Sequence, residues 1–297
     1  MSKGLHFTTA AAKTFYMIFP STRYIRELNV KPRKKYGQNF LIDKNIAAKV
    51  SASAAILPGD TVIEIGPGLG SITLFLLQKT DSVICFEIDT NLFNILTASL
   101  EKDSHACIIN QDILSVCFSD YAASDKVILT GSIPYALSTQ LLFKILDESS
   151  CITRAVFIVQ REVAQRFCSR PGSKDYGVPT VYCHAYLKTL IHFTIPPECF
   201  YPRPNVHSAL LELAPLKDKQ FNSEKEIFFR TIVRHSFSQR RKKLFNCLKG
   251  FIKQHTPHPD LLKICARDAG IDLDRRAESL SVDEFYALSS HIQQNLS

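Results

Sequence analysis

The sequence predicts an α/β protein: a largely parallel sheet with helices on both faces, followed by a small all-helical domain. Three observations carry this. Short apolar runs alternate with helical stretches from residue 61 to about 165. The first of those runs ends in a glycine-rich turn. From residue 227 onward the apolar residues recur only at helical spacing. Alternation of this kind gives parallel strands covered by crossover helices.

The elements follow in order. Residues 1–30 read as a lead-in, disordered or loosely helical. Residues 1–22 lack acids, but the absence of arginine there argues against a mitochondrial presequence. A basic run, Lys31-Pro32-Arg33-Lys34-Lys35, joins Tyr36-Gly37-Gln38-Asn39-Phe40-Leu41. A helix then spans 45–56 and stops at Pro58-Gly59. Strands are predicted at 61–65, 83–87, 106–109, 127–130 and 154–160, with helices at 71–79, 90–101, 138–147 and 162–168. A polar loop, 169–177, leads to a buried helix at 178–186. Two more strands, near 188–195 and 207–214, flank a segment whose four prolines (Pro196, Pro197, Pro202, Pro204) argue against regular structure. Residues 216–226 read as a linker. Ile227-Phe228-Phe229, Ile232-Val233 and Phe237 then share a helical face, and Ser238 is placed as the N-cap of a further, basic helix. The domains are drawn at 31–215 and 222–297.

Composition narrows the function. A hydrophobic content of 45% is that of an ordinary globular protein, and no apolar run is long enough to span a membrane. The nine cysteines are scattered without a C-x-x-C pair, which argues against a zinc site or disulfide framework and for a reducing, cytoplasmic setting. No metal site is expected. The net charge of +8 is unevenly spread: residues 1–45 carry +7, 46–150 carry −7 and 151–297 carry +8. An acidic middle between basic flanks suggests a polyanionic partner. Lys34 and Lys35 in the first flank, and Arg240, Arg241, Lys242 and Lys243 in the second, are the candidate nucleic-acid contacts. A solvated face accounts less well for such clustering: residues 230–249 hold seven Lys/Arg and no acid.

Four motifs lie at carboxyl ends of successive strands, where ligands sit on sheets of this kind. Val62-Ile63-Glu64-Ile65-Gly66-Pro67-Gly68-Leu69-Gly70 is a strand running into a glycine turn. Its spacing is not the G-x-G-x-x-G of dinucleotide binders but the E-x-G-x-G-x-G typical of S-adenosylmethionine (SAM) enzymes. Glu64, Gly66, Gly68 and Gly70 are therefore candidate cofactor residues. Glu87, about 20 residues on, is placed to accept ribose hydroxyls. Asp112, after the third strand, can accept from an adenine amine, although an aspartate there is also an ordinary cap. Ser132-Ile133-Pro134-Tyr135 ends the fourth strand. A hydroxyl, a backbone carbonyl, a stiff proline and an aromatic face suit an exposed adenine.

These features together make the chain resemble the bacterial small-subunit (16S) ribosomal RNA adenine dimethyltransferases, the KsgA family. Further markers are Tyr36 to Leu41, Gln111-Asp112, Tyr201-Pro202-Arg203-Pro204-Asn205-Val206-His207-Ser208-Ala209, Phe237 to Lys243, and Arg276-Ala277-Glu278-Ser279-Leu280-Ser281. The Erm-type methyltransferases of 23S rRNA share the first half, but the Gln-Arg-Arg-Lys and Arg-Ala-Glu segments look more like KsgA. The resemblance implies a Rossmann-like SAM domain with a small helical C-terminal domain. It implies dimethylation at N6 of two adjacent adenines near the 3′ end of 16S rRNA, in the precursor of the small subunit, by a monomer. Carried onto this chain it adds Asn39 and Leu41 to the cofactor residues and Phe200 as a second aromatic for a flipped base. Ser132 stands where that family usually has asparagine. It is read both as a catalytic acceptor and as a cofactor neighbour. Two other functions fit less of the chain: an Erm-like 23S rRNA methyltransferase, and an RNA-binding assembly or transcription factor with weak or no methylation.

Overall fold

The structure, a computed structural model, describes residues 18–100, 105–122, 126–219 and 221–296, with Lys34 described in its backbone alone. The strands are β1 (Phe40–Leu41), β2 (Thr61–Ile65), β3 (Ser82–Phe86), β4 (Ala106–Ile109), β5 (Val127–Ser132), β6 (Ile152–Gln160), β7 (Leu187–Ile195), β8 (Phe200–Tyr201) and β9 (Ser208–Pro215). The helices are α1 (Thr22–Glu27), α2 (Lys44–Ser53), α3 (Thr73–Leu76), α4 (Thr90–Ser99), α5 (Ser138–Asp147), α6 (Arg161–Phe167), α7 (Val178–Tyr186), α8 (Glu224–Ser236), α9 (Leu244–His255), α10 (Leu261–Asp268) and α11 (Val282–Leu296). The chain divides into two compact units. One runs to Ala164 and takes in Leu190–Ala214. The other holds Gln165–Thr189 and the chain from Pro215 on.

Seven strands form one sheet in the order β4-β3-β2-β5-β6-β9-β7. From β4 to β6 all pairs are parallel, whereas β9 lies antiparallel to β6, so the sheet is mixed rather than wholly parallel. All five residues of β2 are buried, as expected of a parallel strand covered on both faces. The strand order reverses between β2 and β5. That reversal opens a crevice at their carboxyl ends, where Gly66 follows β2 and Ser132 ends β5. On one face Val62, Val83, Ile128, Val156 and Leu210 pack with Ala47 and Val50 of α2.

Several local expectations change. Residues 22–27 of the lead-in form α1, with Ser21 Oγ accepting from Tyr24 N and Ile25 buried; residues 1–17 lie outside the described residues. The predicted 71–79 helix is regular only over α3. The proline-rich segment contains β8, because Phe200 and Tyr201 lie between the prolines and keep their own N–H groups. Phe200 pairs with Leu41 and Tyr201 with Phe40 in a separate two-stranded sheet. The 216–226 stretch gives way at Glu224 to α8, capped by Ser223. Ser238 is not an N-cap: residues 238–242 form turns and α9 begins at Leu244. Cations are unfavourable at the positive end of a helix dipole, so four in a row keep the first turn from starting at Ser238.

In the C-terminal unit, α8 buries Phe229, Ile232, Val233 and Ser236 along one stripe. Phe229 stacks on Tyr286 with ring centroids 4.0 Å apart. The Glu226 carboxylate accepts from Tyr186 Oη at 2.5 Å and Tyr286 Oη at 2.8 Å. Ser281 and Glu284 form a reciprocal cap on α11: Ser281 N donates to Glu284 Oε2 at 2.7 Å and Glu284 N to Ser281 Oγ at 3.1 Å.

Candidate active site

A cavity of about 500 Å³ occupies the crevice at the strand reversal, a size ordinary for a small-molecule site. It lies wholly within the sheet-bearing unit. Residues 35–41 form one wall. The glycine turn, the end of β3, the turn after β4 and the segment after β5 supply most of the rest, and Ile158 and Val159 of β6 and Phe200, Pro204 and Ser208 also line it.

The glycine turn is shaped by two needs. Gly68 has φ +59°, and a Cβ there would meet Phe40 Cδ1 at 3.3 Å. Its N–H donates to Glu87 Oε2 at 3.1 Å. Glu87 Oε1 accepts from Asp89 N at 2.9 Å, and the residue is 4% exposed. Burial raises the Glu87 carboxyl above its ordinary range, opposed by the backbone N–H groups of Asp89 and Gly68. Two N–H bonds leave further lone pairs on both oxygens, the acceptor pattern that a pair of ribose hydroxyls needs.

Glu64 borders the cavity but is 1% exposed. Its Oε2 accepts from Thr73 Oγ1 at 2.6 Å and lies 3.6 Å from Cys85 Sγ. Burial pushes its carboxyl up to about 7, with the Thr73 and Cys85 hydrogen bonds pulling the other way. It ties β2 to α3 and β3 at the cavity's edge. Asp112 borders the cavity and also caps the turn after β4, its Oδ1 accepting from Leu114 N at 2.9 Å. Asn110 Nδ2 donates to the Glu87 carbonyl at 2.7 Å, which holds that turn beside β3.

The 35–41 wall is fastened by Arg33, Gln38 and Asp89, residues that carry no assigned role in the sequence motifs. Arg33 N donates to Gln38 Oε1 at 2.7 Å, and Gln38 Nε2 donates to Asp89 Oδ2 at 2.8 Å. Arg33 Nη1 pairs with Asp89 Oδ1 at 3.2 Å. Asp89 in turn holds Glu87 through its N–H, so the wall and the ribose-type acceptor are linked through one buried carboxylate. The sequence signal was Asp89 itself, which caps α4 by accepting from Asn91 N. Asn39 lines the cavity with Nδ2 donated to Gly37 O at 3.1 Å, and the Leu41 carbonyl accepts from Ser71 Oγ at 2.5 Å.

On the opposite side, β5 must lie close to β2. Gly131 pairs with Ile65, and a Cβ on it would stand 2.2 Å from Ile65 O. Ile133 N donates to Ile158 O at 2.9 Å, and Leu137 N to Pro134 O at 2.9 Å. These bonds turn the chain so that Ser132, Ile133, Pro134 and Tyr135 all line the cavity. Tyr135 is half-buried, whereas Phe200, held by its pairing with Leu41, is 4% exposed and belongs to the core as well as the cavity wall.

Of the candidate cofactor residues, Asn39, Leu41, Glu64, Gly66, Gly68, Glu87, Asp112 and Ser132 border the cavity. Gly70 supports the turn instead, its N–H bonded to Pro67 O at 2.8 Å. Lys35 is exposed at the rim, with Nζ 4.4 Å from the Tyr36 ring; the Lys34 side chain lies outside what is described. Arg240 to Lys243 belong to the C-terminal unit. There Arg240 pairs with Glu278 at 3.0 Å and Lys243 with Asp274 at 3.1 Å, while Arg241 and Lys242 are exposed. Among the described residues no group of three or more His, Cys, Asp or Glu could hold a metal ion, and no helix is long and apolar enough to cross a membrane.

The family model described as ribosomal RNA adenine dimethylase matches residues 29–294. The chain is similar to the ribosomal RNA small subunit methyltransferase A of Francisella tularensis subsp. novicida (strain U112), at 38% identity over 268 residues, 90% of this chain and 99% of the relative. The protein of that name from subsp. tularensis (strain WY96-3418) matches to the same extent. A crystal structure of a dimethyladenosine transferase from Plasmodium falciparum aligns with a TM-score of 0.74 at 22% identity, covering 83% of this chain and 94% of that one. The 23S rRNA methyltransferase ErmE aligns with a TM-score of 0.67 at 22% identity, covering 86% and 100%. These two likenesses show the fold, a Rossmann-like methyltransferase fold.

Proposed function

The chain belongs to the ribosomal RNA adenine dimethylase family and is an rRNA methyltransferase, and from that premise we propose the following chemistry. The protein uses SAM to place two methyl groups on N6 of each of two adjacent adenines near the 3′ end of 16S rRNA, during assembly of the small subunit, as a cytoplasmic monomer. One observation carries this: a single cavity is bordered by the glycine turn and Glu87 on one side and by Ser132-Ile133-Pro134-Tyr135 on the other.

The residues present fit the cofactor. The Gly68 cradle would be filled by any side chain, and Glu87 keeps acceptor capacity in a buried place. Glu87 would hold the ribose, Asp112 the adenine amine, and Asn39, Leu41, Gly66 and Ser132 the remainder. When bound, SAM supplies a methyl group on a positively charged sulfur.

The remaining work falls to the protein. Adenine N6 is a poor nucleophile because its lone pair is delocalised into the ring. Ser132 Oγ and the Ile133 carbonyl accept from the two amine hydrogens, which localises the lone pair on nitrogen and aims it into the cavity. Pro134 keeps that carbonyl oriented. Tyr135 offers a stacking face to the extruded base, and Phe200 backs the wall behind it. Base–aromatic stacking is worth about 1–3 kcal/mol, comparable with the few kcal/mol needed to unstack a base. Among the described residues no histidine or cysteine borders the cavity, and none is needed, because the amine can shed its proton after it has been alkylated. Orientation and electrostatics carry the catalysis. In the second round one N–H remains, and the short Ser132 leaves room for the first methyl.

The test is single-turnover methylation of small ribosomal subunits lacking this modification, with the RNA digested and weighed. Dimethyladenosine at two neighbouring positions is expected. Transfer only to large-subunit RNA would favour an Erm-like enzyme. Tight binding without transfer would favour an assembly factor.

A further inference from the structure

Within the C-terminal unit a surface loop is fastened more firmly than its polar, glycine- and proline-containing sequence requires. Arg240 Nε donates to Glu278 Oε2 at 3.0 Å. Arg240 Nη2 donates to the backbone carbonyl of Lys174 and, at 3.4 Å, to that of Tyr176. Glu278 reaches the same loop through its backbone, its carbonyl accepting from Gly172 N at 2.7 Å. Tyr176 anchors the far end: it is 1% exposed and packs on Phe237 with ring centroids 6.2 Å apart. Between these anchors the side chains of Arg170 and Lys174 are exposed, as are those of Arg241 and Lys242.

We propose that Arg240 and Glu278 are positioning residues, and that the loop 169–177 they hold forms one phosphate-binding surface with Arg241 and Lys242, directed at the RNA backbone. This rests on the reading above that the substrate is RNA. Arg240 already serves a carboxylate and two carbonyls, so its neighbours are the better phosphate ligands. Arg170, Lys174, Arg241 and Lys242 supply four exposed cations against one exposed acid, Asp175, while Glu278 is balanced by Arg240. A fixed loop presents its cations without having to order them on binding, which is the advantage of preorganisation.

The sign of one substitution separates this from a plain basic surface. On charge alone, removing an acid beside phosphate-binding cations tightens RNA binding. If Glu278 is a fastener, removing it weakens binding, because the loop and its cations are released. The experiment measures the affinity of the full chain for a hairpin RNA with unpaired loop adenines over a range of salt. Arg241→Ala/Lys242→Ala and Arg170→Ala/Lys174→Ala are each expected to lower the salt slope by up to about 1.8, or 0.9 per lost contact. Glu278→Ala is expected to lower it by about one although it removes no cation, and to speed tryptic cleavage after Lys174. Glu278→Gln, which keeps an acceptor for Arg240 Nε, should fall between. SAM-induced thermal shifts should match wild type in all four variants. Binding by Glu278→Ala as tight as wild type, or a wild-type slope in Arg170→Ala/Lys174→Ala, overturns the proposal. If Arg241→Ala/Lys242→Ala is also silent, the fault lies in the RNA assignment of this surface; if that pair weakens binding and the loop pair does not, only the loop inference fails.

Discussion

Glu87→Gln separates two duties of one carboxylate. Its oxygens accept from Gly68 N at 3.1 Å and from Asp89 N at 2.9 Å. The amide keeps the size and one acceptor oxygen, but its NH₂ group must then face one of those backbone donors. Leaving a buried donor unsatisfied costs about 1–3 kcal/mol, and relief of the burial that raises the Glu87 carboxyl offsets part of this. Both effects are present with and without ligand, so they act on folding. Binding loses something else. A hydrogen bond to a charged acceptor is worth about 1.5–3 kcal/mol, and an amide facing two ribose hydroxyls retains only part of two such bonds. A loss of about 1.4–2.7 kcal/mol corresponds to a 10- to 100-fold rise in the Kd for SAM. Titration calorimetry with SAM, beside urea denaturation of the unliganded protein, reads the two duties apart. A folded Glu87→Gln protein whose Kd stays within about twofold of wild type would show that the ribose is not held here.

Three more substitutions probe the frame around the cavity. Gly131→Ala places a methyl group 2.2 Å from Ile65 O at φ +147°; forcing β2 from β5 should cost about 3 kcal/mol or more in denaturant unfolding, and wild-type stability would mean the strands are not so close. Glu64 is pushed up to about 7 by burial, so between roughly pH 4.5 and 7 the folded state binds more protons than the unfolded chain. Stability should therefore fall as pH rises through that window, by up to about 3 kcal/mol, and level off above it. Glu64→Gln should lose this part of the slope, leaving the part of the same sign due to Glu87; identical pH profiles would refute the assignment. Gln38→Ala removes the Asp89 bond and the acceptor for Arg33 N, and should raise the SAM dissociation rate about 3- to 10-fold in stopped flow, as for one hydrogen bond of about 0.5–1.5 kcal/mol. An unchanged rate would make residues 35–41 a passive wall.

What could be read from the sequence was local. The β2–α3 glycine turn, Glu87 at a strand end and the Ser132-Ile133-Pro134-Tyr135 segment announce themselves because strand, turn and candidate acceptor are adjacent in the chain. What stayed hidden depends on partners far apart. Gln38 meets Asp89 51 residues away, Arg240 meets Glu278 38 residues away, and Phe200 pairs with Leu41. No periodicity encodes such contacts; they follow from how the sheet brings its loops together. The basic run at 240–243 shows the same divide. Its charge was plain, but only the fold shows that two of its four cations are paired with acids within their own unit.

Ser132 carries the central claim, because its hydroxyl is the one side chain assigned to the reacting amine. The measurement is the single-turnover rate of methylation of small ribosomal subunits by Ser132→Ala, with mono- and dimethyladenosine resolved by mass and SAM affinity measured in parallel. Loss of one oriented acceptor should slow the reaction about 10- to 1,000-fold with SAM affinity little changed, and Ser132→Asn should keep activity while shifting the ratio of mono- to dimethyl product. A Ser132→Ala enzyme as fast as wild type, with the same products, would remove the hydroxyl from the reaction and contradict the account.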